Sequence, residues 1–139
     1  MHITSMDHAF DLTGKNAIVT RVNKGIGLGI ASAFAQQGAN VIIMARDAVT
    51  AKDVVEDFKG KYKNKYAFYK TDISDFNSCK QSVNEAIKDF GSINVLVNNA
   101  GIGTVGDLLD MDEDLTPWFE CQDIDLNGAV RMCYLVCKH

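Results

Sequence analysis

The sequence predicts an α/β fold, in which a doubly wound parallel sheet carries helices on both faces. Short β-branched runs alternate four times with longer stretches of helical periodicity. Such alternation builds a parallel sheet with right-handed crossovers. A glycine-rich turn at residues 20–27 also separates the first run from the first helical stretch. This turn is typical of a Rossmann-type sheet, so we expect an incomplete sheet of about four strands in the order 3-2-1-4.

The strands are identified as short runs rich in apolar and β-branched residues. They are predicted at Lys15–Thr20, Asn40–Ala45, Tyr66–Lys70 and Ile93–Val97. The fourth run is apolar enough to be buried on both faces of the sheet, as strands of parallel sheets commonly are.

The helices follow from apolar residues spaced three or four apart and from their end signals. They are predicted over Ile26–Gln37, over Val49–Tyr62, from a cap at Ser74 or Asp75 to Phe90, and from Trp118 almost to the end. Gly38 and Gly91 follow two of these helices, where glycine commonly ends a helix. Thr116 is the expected N-cap of the last helix, with Pro117 at its first position.

Composition and charge exclude several classes of protein. With 139 residues, 47% of them hydrophobic, the chain is long enough for one domain with a real core. Its net charge of −4 argues against a nucleic-acid partner. No apolar run approaches the roughly 20 residues that span a bilayer. Residues 1–11 lack the pattern of a secretory signal, so neither secretion nor a membrane partner is predicted.

The cysteines indicate the chemical setting of the protein. Cys79, Cys121, Cys133 and Cys137 form no Cys-x-x-Cys pair, and no histidine stands beside them at metal-ligand spacing. We therefore expect buried thiols, no metal site and a cytoplasmic location, because reducing compartments keep thiols free.

The turn at residues 20–27, which reads TRVNKGIG, has the features of a phosphate site. Glycines let the backbone approach a ligand, and the helix N-terminus offers free N–H groups and a partial positive charge. However, Arg21 stands where such a turn normally has its first glycine. A positive φ there would cost a side chain about 1–2 kcal/mol. The guanidinium would either fill the ligand's space or swing out and bind phosphate.

Three segments together resemble the short-chain dehydrogenase/reductase family. They are residues 20–27, Asp72-Ile73 after the third strand and Asn98–Gly101 after the fourth. They occur in order, at the strand ends where ligands bind in open α/β sheets. The resemblance covers the chain from Leu12 to Cys137. It implies hydride transfer between a nicotinamide cofactor and a small-molecule carbonyl or alcohol.

The resemblance gives the glycine-rich turn a role at the cofactor pyrophosphate. Gly25 and Gly27 would let the backbone and the first helix approach it, and the Ile26 N–H would face it. Asn23 and Lys24, in the same segment, complete the predicted binding residues of this turn. The alternative is a plain structural turn.

The other two segments would hold the adenosine and ribose parts of the cofactor. By resemblance, Asp72 accepts a hydrogen bond from the adenine amino group, with the Ile73 N–H beside it. Asn99, Ala100 and Gly101 would pack against a ribose, where small residues allow close approach. The alternatives are a helix-capping aspartate and a strand-ending turn.

The choice between NADP and NAD is argued from charge at the end of the second strand. An acidic residue there would bind the free ribose hydroxyls of NAD and repel a 2′-phosphate. This chain has Ala45 and then Arg46 instead. Arginine binds phosphate bidentately, and Lys24 adds a positive charge expected near the same place. Together they favour NADP(H) over NAD(H), whereas each alone is also compatible with a solvated surface cation.

Two further departures from the family pattern concern catalysis. Asp125 stands where the family has an asparagine that holds a water in its proton relay; Asn127 lies two positions on, turned by about 200° on a helix. The family's serine and Tyr-x-x-x-Lys would lie beyond His139. Tyr134 and Lys138 match that spacing one element too early. We therefore predict one dinucleotide-binding domain over residues 1–139, truncated before the catalytic segment, with no catalytic residues and no turnover.

The end of the chain predicts self-association. The fourth strand, if no fifth strand covers it, is a bare apolar edge that invites pairing with another chain. The last helix is rich in apolar residues, which need a partner surface: Val130, Met132, Cys133, Leu135 and Val136. In the family that the chain resembles, this helix takes part in dimer contacts. We expect a homo-oligomer or self-association through these surfaces, and the alternative function is a non-enzymatic nucleotide-binding or self-associating module.

Overall fold

A computed structural model describes residues 10–103, 107–111 and 113–139. Its strands are β1 Asn16–Thr20, β2 Asn40–Ala45, β3 Tyr66–Lys70 and β4 Val95–Val97. All of the pairings are parallel, and the order is β3-β2-β1-β4. The predicted fold class and strand order are therefore confirmed.

The helices follow the strands in the predicted alternation. They are α1 Gly25–Gln36, α2 Ala48–Lys61, α3 Phe76–Phe90, α4 Thr116–Gln122 and α5 Gly128–Val136, and a 3-10 turn spans Leu108–Asp110. Asp75, rather than Ser74, caps α3, because its carboxylate accepts a hydrogen bond from the Asn77 N–H at 2.9 Å. Within the described ranges, none of the helices combines the length and apolarity that crossing a bilayer requires.

The predicted last helix is interrupted by a π-helical turn. Five residues, Asp123–Asn127, connect α4 to α5 in this wider geometry. A π-turn inserts one extra residue into a helix and is often found at functional sites. The sequence periodicity did not reveal it.

The predicted cap of α4 is wrong. Thr116 is the first helical residue, and Leu115 precedes it in a left-handed conformation with φ of 52°. The Asp114 carboxylate accepts a hydrogen bond from the Thr116 N–H at 3.0 Å. Asp114 therefore caps the first turn of α4 from two residues before the helix begins. Pro117 is the second helical residue, whereas the sequence predicted it as the first.

The sheet separates two apolar layers, because successive side chains of a strand point to opposite faces. Val19, Val41 and Ile43 lie on the side of α1 and α2 with Phe58. The alternate positions of β1 and β2 face α3 and α5, in a cluster with Ile18, Ile42, Met44 and Met132. Helices therefore cover both faces, as predicted.

The fourth strand is shorter and less buried than predicted. Only Val95–Val97 is strand, and all three residues are half-buried. β4 pairs with β1 along one side and ends the sheet on the other, so its outer side lacks a covering strand among the described residues. The bare edge expected from the sequence is present, but full burial of Ile93–Val97 was wrong.

Candidate functional site

The carboxyl ends of the parallel strands meet at one edge of the sheet, and two cavities lie there. The first, the β2–β3 cavity, has a volume of about 260 Å³. It is lined by Thr20, Arg21, Asn23, Met44, Ala45, Arg46, Asp47, Thr71, Asp72, Ile73, Ala100, Gly101, Ile102 and Ile124. The second, the α1 cavity, has a volume of about 450 Å³. It is lined by Arg21, Lys24, Gly25, Ile26, Gly27 and Asn99.

The predicted binding residues come together at these cavities. The β2–β3 cavity is lined by six of them, Asn23, Arg46, Asp72, Ile73, Ala100 and Gly101. The α1 cavity is lined by the other five, Lys24, Gly25, Ile26, Gly27 and Asn99. Lys24 and Arg46 were expected near the same place, but they line different cavities. The two cations therefore do not face one shared pocket.

Two glycines of the turn are required for different reasons. Gly25 has a left-handed φ of 63°, which a side chain rarely adopts. A Cβ on Gly27 would collide with the Arg21 carbonyl and the Asn99 side chain. The start of α1 therefore packs directly against the ends of β1 and β4, as a close-approach glycine allows.

Hydrogen bonds accepted by Thr20 and Arg21 tie the ends of β1 and β4 together. The Thr20 hydroxyl accepts from the N–H of Asn99 at 2.9 Å and of Ala100 at 2.8 Å. The Asn99 side-chain amide donates to the Thr20 carbonyl at 3.0 Å and to the Arg21 carbonyl at 2.8 Å. Thr20 is only 1% exposed. Sequence reasoning treated it as a strand residue, and the available signal was a hydroxyl ending an otherwise apolar strand.

Arg21 crosses the cleft between these strand ends. Its φ is 56°, so the strained left-handed conformation considered from the sequence is present. The guanidinium Nη1 donates a hydrogen bond to the Gly101 carbonyl. The guanidinium is therefore bonded to the loop after β4, and the two outcomes considered from the sequence, filling the ligand's space or binding phosphate, both stay predictions.

Asp125 holds the other side of the same loop. It lies in the π-turn, and its Oδ1 accepts a hydrogen bond from the Ile102 N–H at 2.8 Å. A Cβ on Gly101 would lie 3.2 Å from this carboxylate oxygen, which is tighter than ordinary contact. The departure from the family pattern at Asp125 therefore has a structural role in this chain.

Asp72 is held as a carboxylate at the wall of the β2–β3 cavity. The Ser74 hydroxyl and N–H donate to its Oδ1 at 2.6 and 3.0 Å. These bonds lower the pKa of the Asp72 carboxyl below its ordinary value, and the positive charges of Arg46 and Arg131 lower the pKa further. The helix cap considered as the alternative role of Asp72 belongs to Asp75, whereas Asp72 accepts from Ser74 and lines the cavity.

One acceptor near the same cavity is left unpaired. Asn23 lines the cavity, but its Oδ1 is buried and has no hydrogen-bond partner among the described residues. An unsatisfied buried oxygen costs about 1–3 kcal/mol.

Comparison with known proteins identifies the family. Residues 15–139 match the family described as short chain dehydrogenase. The chain belongs to the short-chain dehydrogenase/reductase family. The resemblance drawn from the sequence is therefore confirmed.

Individual relatives agree with this assignment. The chain is 35% identical over 127 residues to a 3-oxoacyl-(acyl-carrier-protein) reductase of Chlamydia muridarum, covering 91% of this chain and 50% of the relative. It is 38% identical over 128 residues to sorbose reductase of Candida albicans, covering 91% and 45%. The chain therefore spans about half the length of these relatives.

A solved structure supports the fold. The NADPH-dependent 3-quinuclidinone reductase of Rhodotorula rubra aligns with a TM-score of 0.88 at 24% identity. The alignment covers 99% of this chain and 52% of that protein. At this identity the likeness establishes the Rossmann fold of the chain.

The family implies a nicotinamide dinucleotide, either NAD or NADP, and this site fits only part of one. The β2–β3 cavity offers Arg46 and Asp72 to an adenosine group. A dinucleotide in such a fold runs across the crevice, with its pyrophosphate at the helix N-terminus. That path passes between the ends of β1 and β4, where Arg21 bonds Gly101. The residues fit the adenosine half and do not fit the whole dinucleotide in this conformation.

Tyr134 and Lys138, which match the spacing of the family's Tyr-x-x-x-Lys, lie away from the two cavities. The Lys138 Nζ stacks 4.2 Å from the centre of the Tyr134 ring, and Tyr134 is 51% exposed on α5. Neither residue is part of the lining of the two cavities. Across the described ranges no group of three or more histidine, cysteine or acidic residues could hold a metal ion.

Proposed function

We propose that this chain is the single cofactor-binding domain of an NADP(H)-preferring oxidoreductase. The reaction class would be hydride transfer between a nicotinamide and a carbonyl or alcohol, as its family membership supports. The observation that carries the NADP preference is Arg46 in the lining of the β2–β3 cavity, directly after Ala45. A guanidinium attracts a 2′-phosphate, and the acid that would repel it is absent at Ala45.

The preference for NADP over NAD is tested with ligands that carry only the adenosine part of the cofactor. Calorimetry compares adenosine 2′,5′-bisphosphate with 5′-AMP, which lacks the 2′-phosphate. We expect the bisphosphate to bind at least about tenfold more tightly, and Arg46→Asp to remove that difference. Lys80→Asp is the matched control, because it makes the same charge change at an exposed position of α3. Equal binding of both ligands would contradict the NADP assignment.

We further propose that these 139 residues alone do not turn over substrate. Support comes from the stacked, exposed Tyr134 and Lys138, which lie away from both cavities. The test mixes the chain with NADPH and a panel of ketones and follows the absorbance of the reduced nicotinamide. Oxidation clearly above the rate without protein would overturn this part of the proposal.

A self-associating module is the second candidate function. Met132 and Leu135, predicted from the sequence to need a partner surface, are instead buried in the chain's own core, so that part of the prediction is wrong. The exposed apolar residues of this region are Leu126, Val130 and Tyr134, which recur every four residues and are 59%, 59% and 51% exposed. Such a stripe, together with the open edge of β4, supports a homo-oligomer. Sedimentation at several concentrations should detect it, and Val130→Lys should shift the chain toward monomer. Lys80→Ala, on a different helix, is the control and should leave the sedimentation behaviour unchanged.

A cytosolic setting is part of the same proposal. The four cysteines are free thiols in the structure, but only Cys79 is buried, and Cys133 and Cys137 are exposed, so the prediction of buried thiols is wrong for these two. Reducing compartments preserve such thiols. A fluorescent fusion of the complete gene product would locate it, and an oxidising location would contradict the proposal.

A further inference from the structure

One peptide group in the cleft is held from both sides by residues of opposite charge. The Gly101 carbonyl and the Ile102 N–H belong to the same peptide unit. Arg21 donates to the carbonyl, and Asp125 accepts from the N–H at 2.8 Å. Hydrogen bonds that polarise a group in the same direction strengthen one another. Arg21 and Asp125 therefore support each other through this peptide.

Both of these residues depart from the pattern of the family to which the chain belongs. In the pattern that the sequence resembles, a glycine stands at the position of Arg21 and an asparagine at the position of Asp125. The structure joins the two departures in one contact. They form a clamp, defined here as Arg21, the Gly101–Ile102 peptide and Asp125.

The clamp divides the cleft. Of the described residues that line the two cavities, Arg21 is the one they share. Each of the other described lining residues belongs to one cavity only. Arg21 therefore borders both the β2–β3 cavity and the α1 cavity, at the crossing that a dinucleotide would have to make.

The walls of the β2–β3 cavity decide what it can bind. In a cavity of about 260 Å³, they supply a guanidinium from Arg46 and the Asp72 carboxylate. These groups suit a phosphate and the donor groups of a nucleoside.

We propose that the clamp converts a dinucleotide site into a site for a 2′-phosphorylated adenosine mononucleotide. The ligand class rests on the proposed function, because it is taken from the NADP series. The chain binds adenosine 2′,5′-bisphosphate in the β2–β3 cavity more tightly than NADP⁺, because the hydrogen bond between Arg21 and Gly101 must break before a dinucleotide can cross the cleft. Removing the Arg21 side chain reopens the path to the α1 cavity.

The test is calorimetry with adenosine 2′,5′-bisphosphate and NADP⁺ on the wild-type chain and on Arg21→Gly. The wild type should bind the bisphosphate at least about tenfold more tightly than NADP⁺. Arg21→Gly should tighten NADP⁺ binding at least about tenfold and change the bisphosphate affinity less than about threefold. Lys63→Gly, which removes an exposed cation from a bend, should behave as the wild type. Circular dichroism establishes that each variant is folded.

A second variant tests the clamp itself. Asp125→Asn keeps the shape of the side chain but removes its charge, so it should raise NADP⁺ affinity by less than Arg21→Gly does. In Arg21→Gly the same Asp125→Asn change should have little further effect, because the two residues act on one peptide. Independent effects of the two changes would contradict the clamp.

The outcomes separate this inference from the proposed function. Wild-type binding of NADP⁺ as tight as that of the bisphosphate, or no gain in Arg21→Gly, overturns the inference and leaves the NADP assignment standing. Binding of neither ligand by either folded protein overturns both. Binding of NADP⁺ by Arg21→Gly, with no wild-type binding of the bisphosphate, refutes the mononucleotide site.

Discussion

The two halves of the cleft differ in what holds their walls. Beside the β2–β3 cavity, Ile73 is buried in an apolar cluster with Cys79 and Met132, and a Cβ on Gly128 would lie 2.9 Å from its Cγ1. Between β1 and β4 the contacts are hydrogen bonds, made by Thr20, Asn99 and the clamp. Close packing fixes the shape of a wall, whereas a polar crossing accepts any side chain that can complete its bonds. In the polar half a single arginine side chain therefore bonds across the strand ends, whereas the wall of the packed half is fixed by apolar contacts.

The largest expected effect comes from weakening the packed half. Met132→Ala should lower the free energy of unfolding by about 2–5 kcal/mol, because Met132 is 0% exposed and the substitution leaves a cavity beneath Ile73. Urea denaturation measures the change. Val130→Ala, at a position 59% exposed on the same helix, is the control and should cost less than about 0.5 kcal/mol. Equal losses would show that α5 is not packed as described.

The polar half is tested at Thr20. Thr20→Val removes the acceptor for two backbone N–H groups and should cost about 1–3 kcal/mol. Thr20→Ser keeps the hydroxyl and should cost less than Thr20→Val. Thermal and urea unfolding of the pair give the comparison. A serine variant as unstable as the valine variant would assign the loss to packing rather than to hydrogen bonds.

Removing the clamp arginine should hardly change stability. Arg21→Gly relieves a left-handed φ of 56°, a gain of about 1–2 kcal/mol. It loses one exposed hydrogen bond and adds about 0.5–1 kcal/mol of backbone flexibility in the unfolded chain. The free energy of unfolding should change by less than about 1 kcal/mol. A loss above about 2 kcal/mol would mean that Arg21 is a structural support rather than an obstruction.

The smallest expected effect is a pH dependence of stability that arises from Asp72, beside the β2–β3 cavity. The pKa of Asp72 is lower in the folded chain than its ordinary value, chiefly because Ser74 donates to the carboxylate. Its contribution to stability is therefore complete above the unfolded pKa of about 4 and is lost as the pH falls through the folded pKa. Asp72→Asn should flatten the acid limb of a plot of melting temperature against pH. An unchanged acid limb would show that the Ser74 contacts contribute nothing measurable.

The sequence predicted what depends on local pattern. The apolar runs and the turn at residues 20–27 were sufficient for the strand order, because parallel crossovers leave few alternatives. The predicted binding residues line the cavities because the carboxyl ends of parallel strands share an edge. Those predictions needed only the identity and order of the elements.

The features that were missed depend on tertiary contacts. The Thr116 cap failed because Asp114, a neighbour of equal capping ability, accepts the hydrogen bond. The π-turn and the Asp125 contact with Ile102 depend on how α4 and α5 meet the loop after β4. Arg21 was recognised as a departure, but its partner lies 80 residues away at Gly101, a pairing that periodicity does not encode.

Amide NMR during a titration with adenosine 2′,5′-bisphosphate and then NADP⁺ tests most directly whether one half of the cleft is closed. In the wild-type chain, the shifts of Arg46, Asp72 and Ile73 should move, and those of Gly25 and Gly27 should stay. In Arg21→Gly, NADP⁺ should move both groups. Movement of Gly25 and Gly27 by NADP⁺ in the wild type would contradict a cleft divided by Arg21.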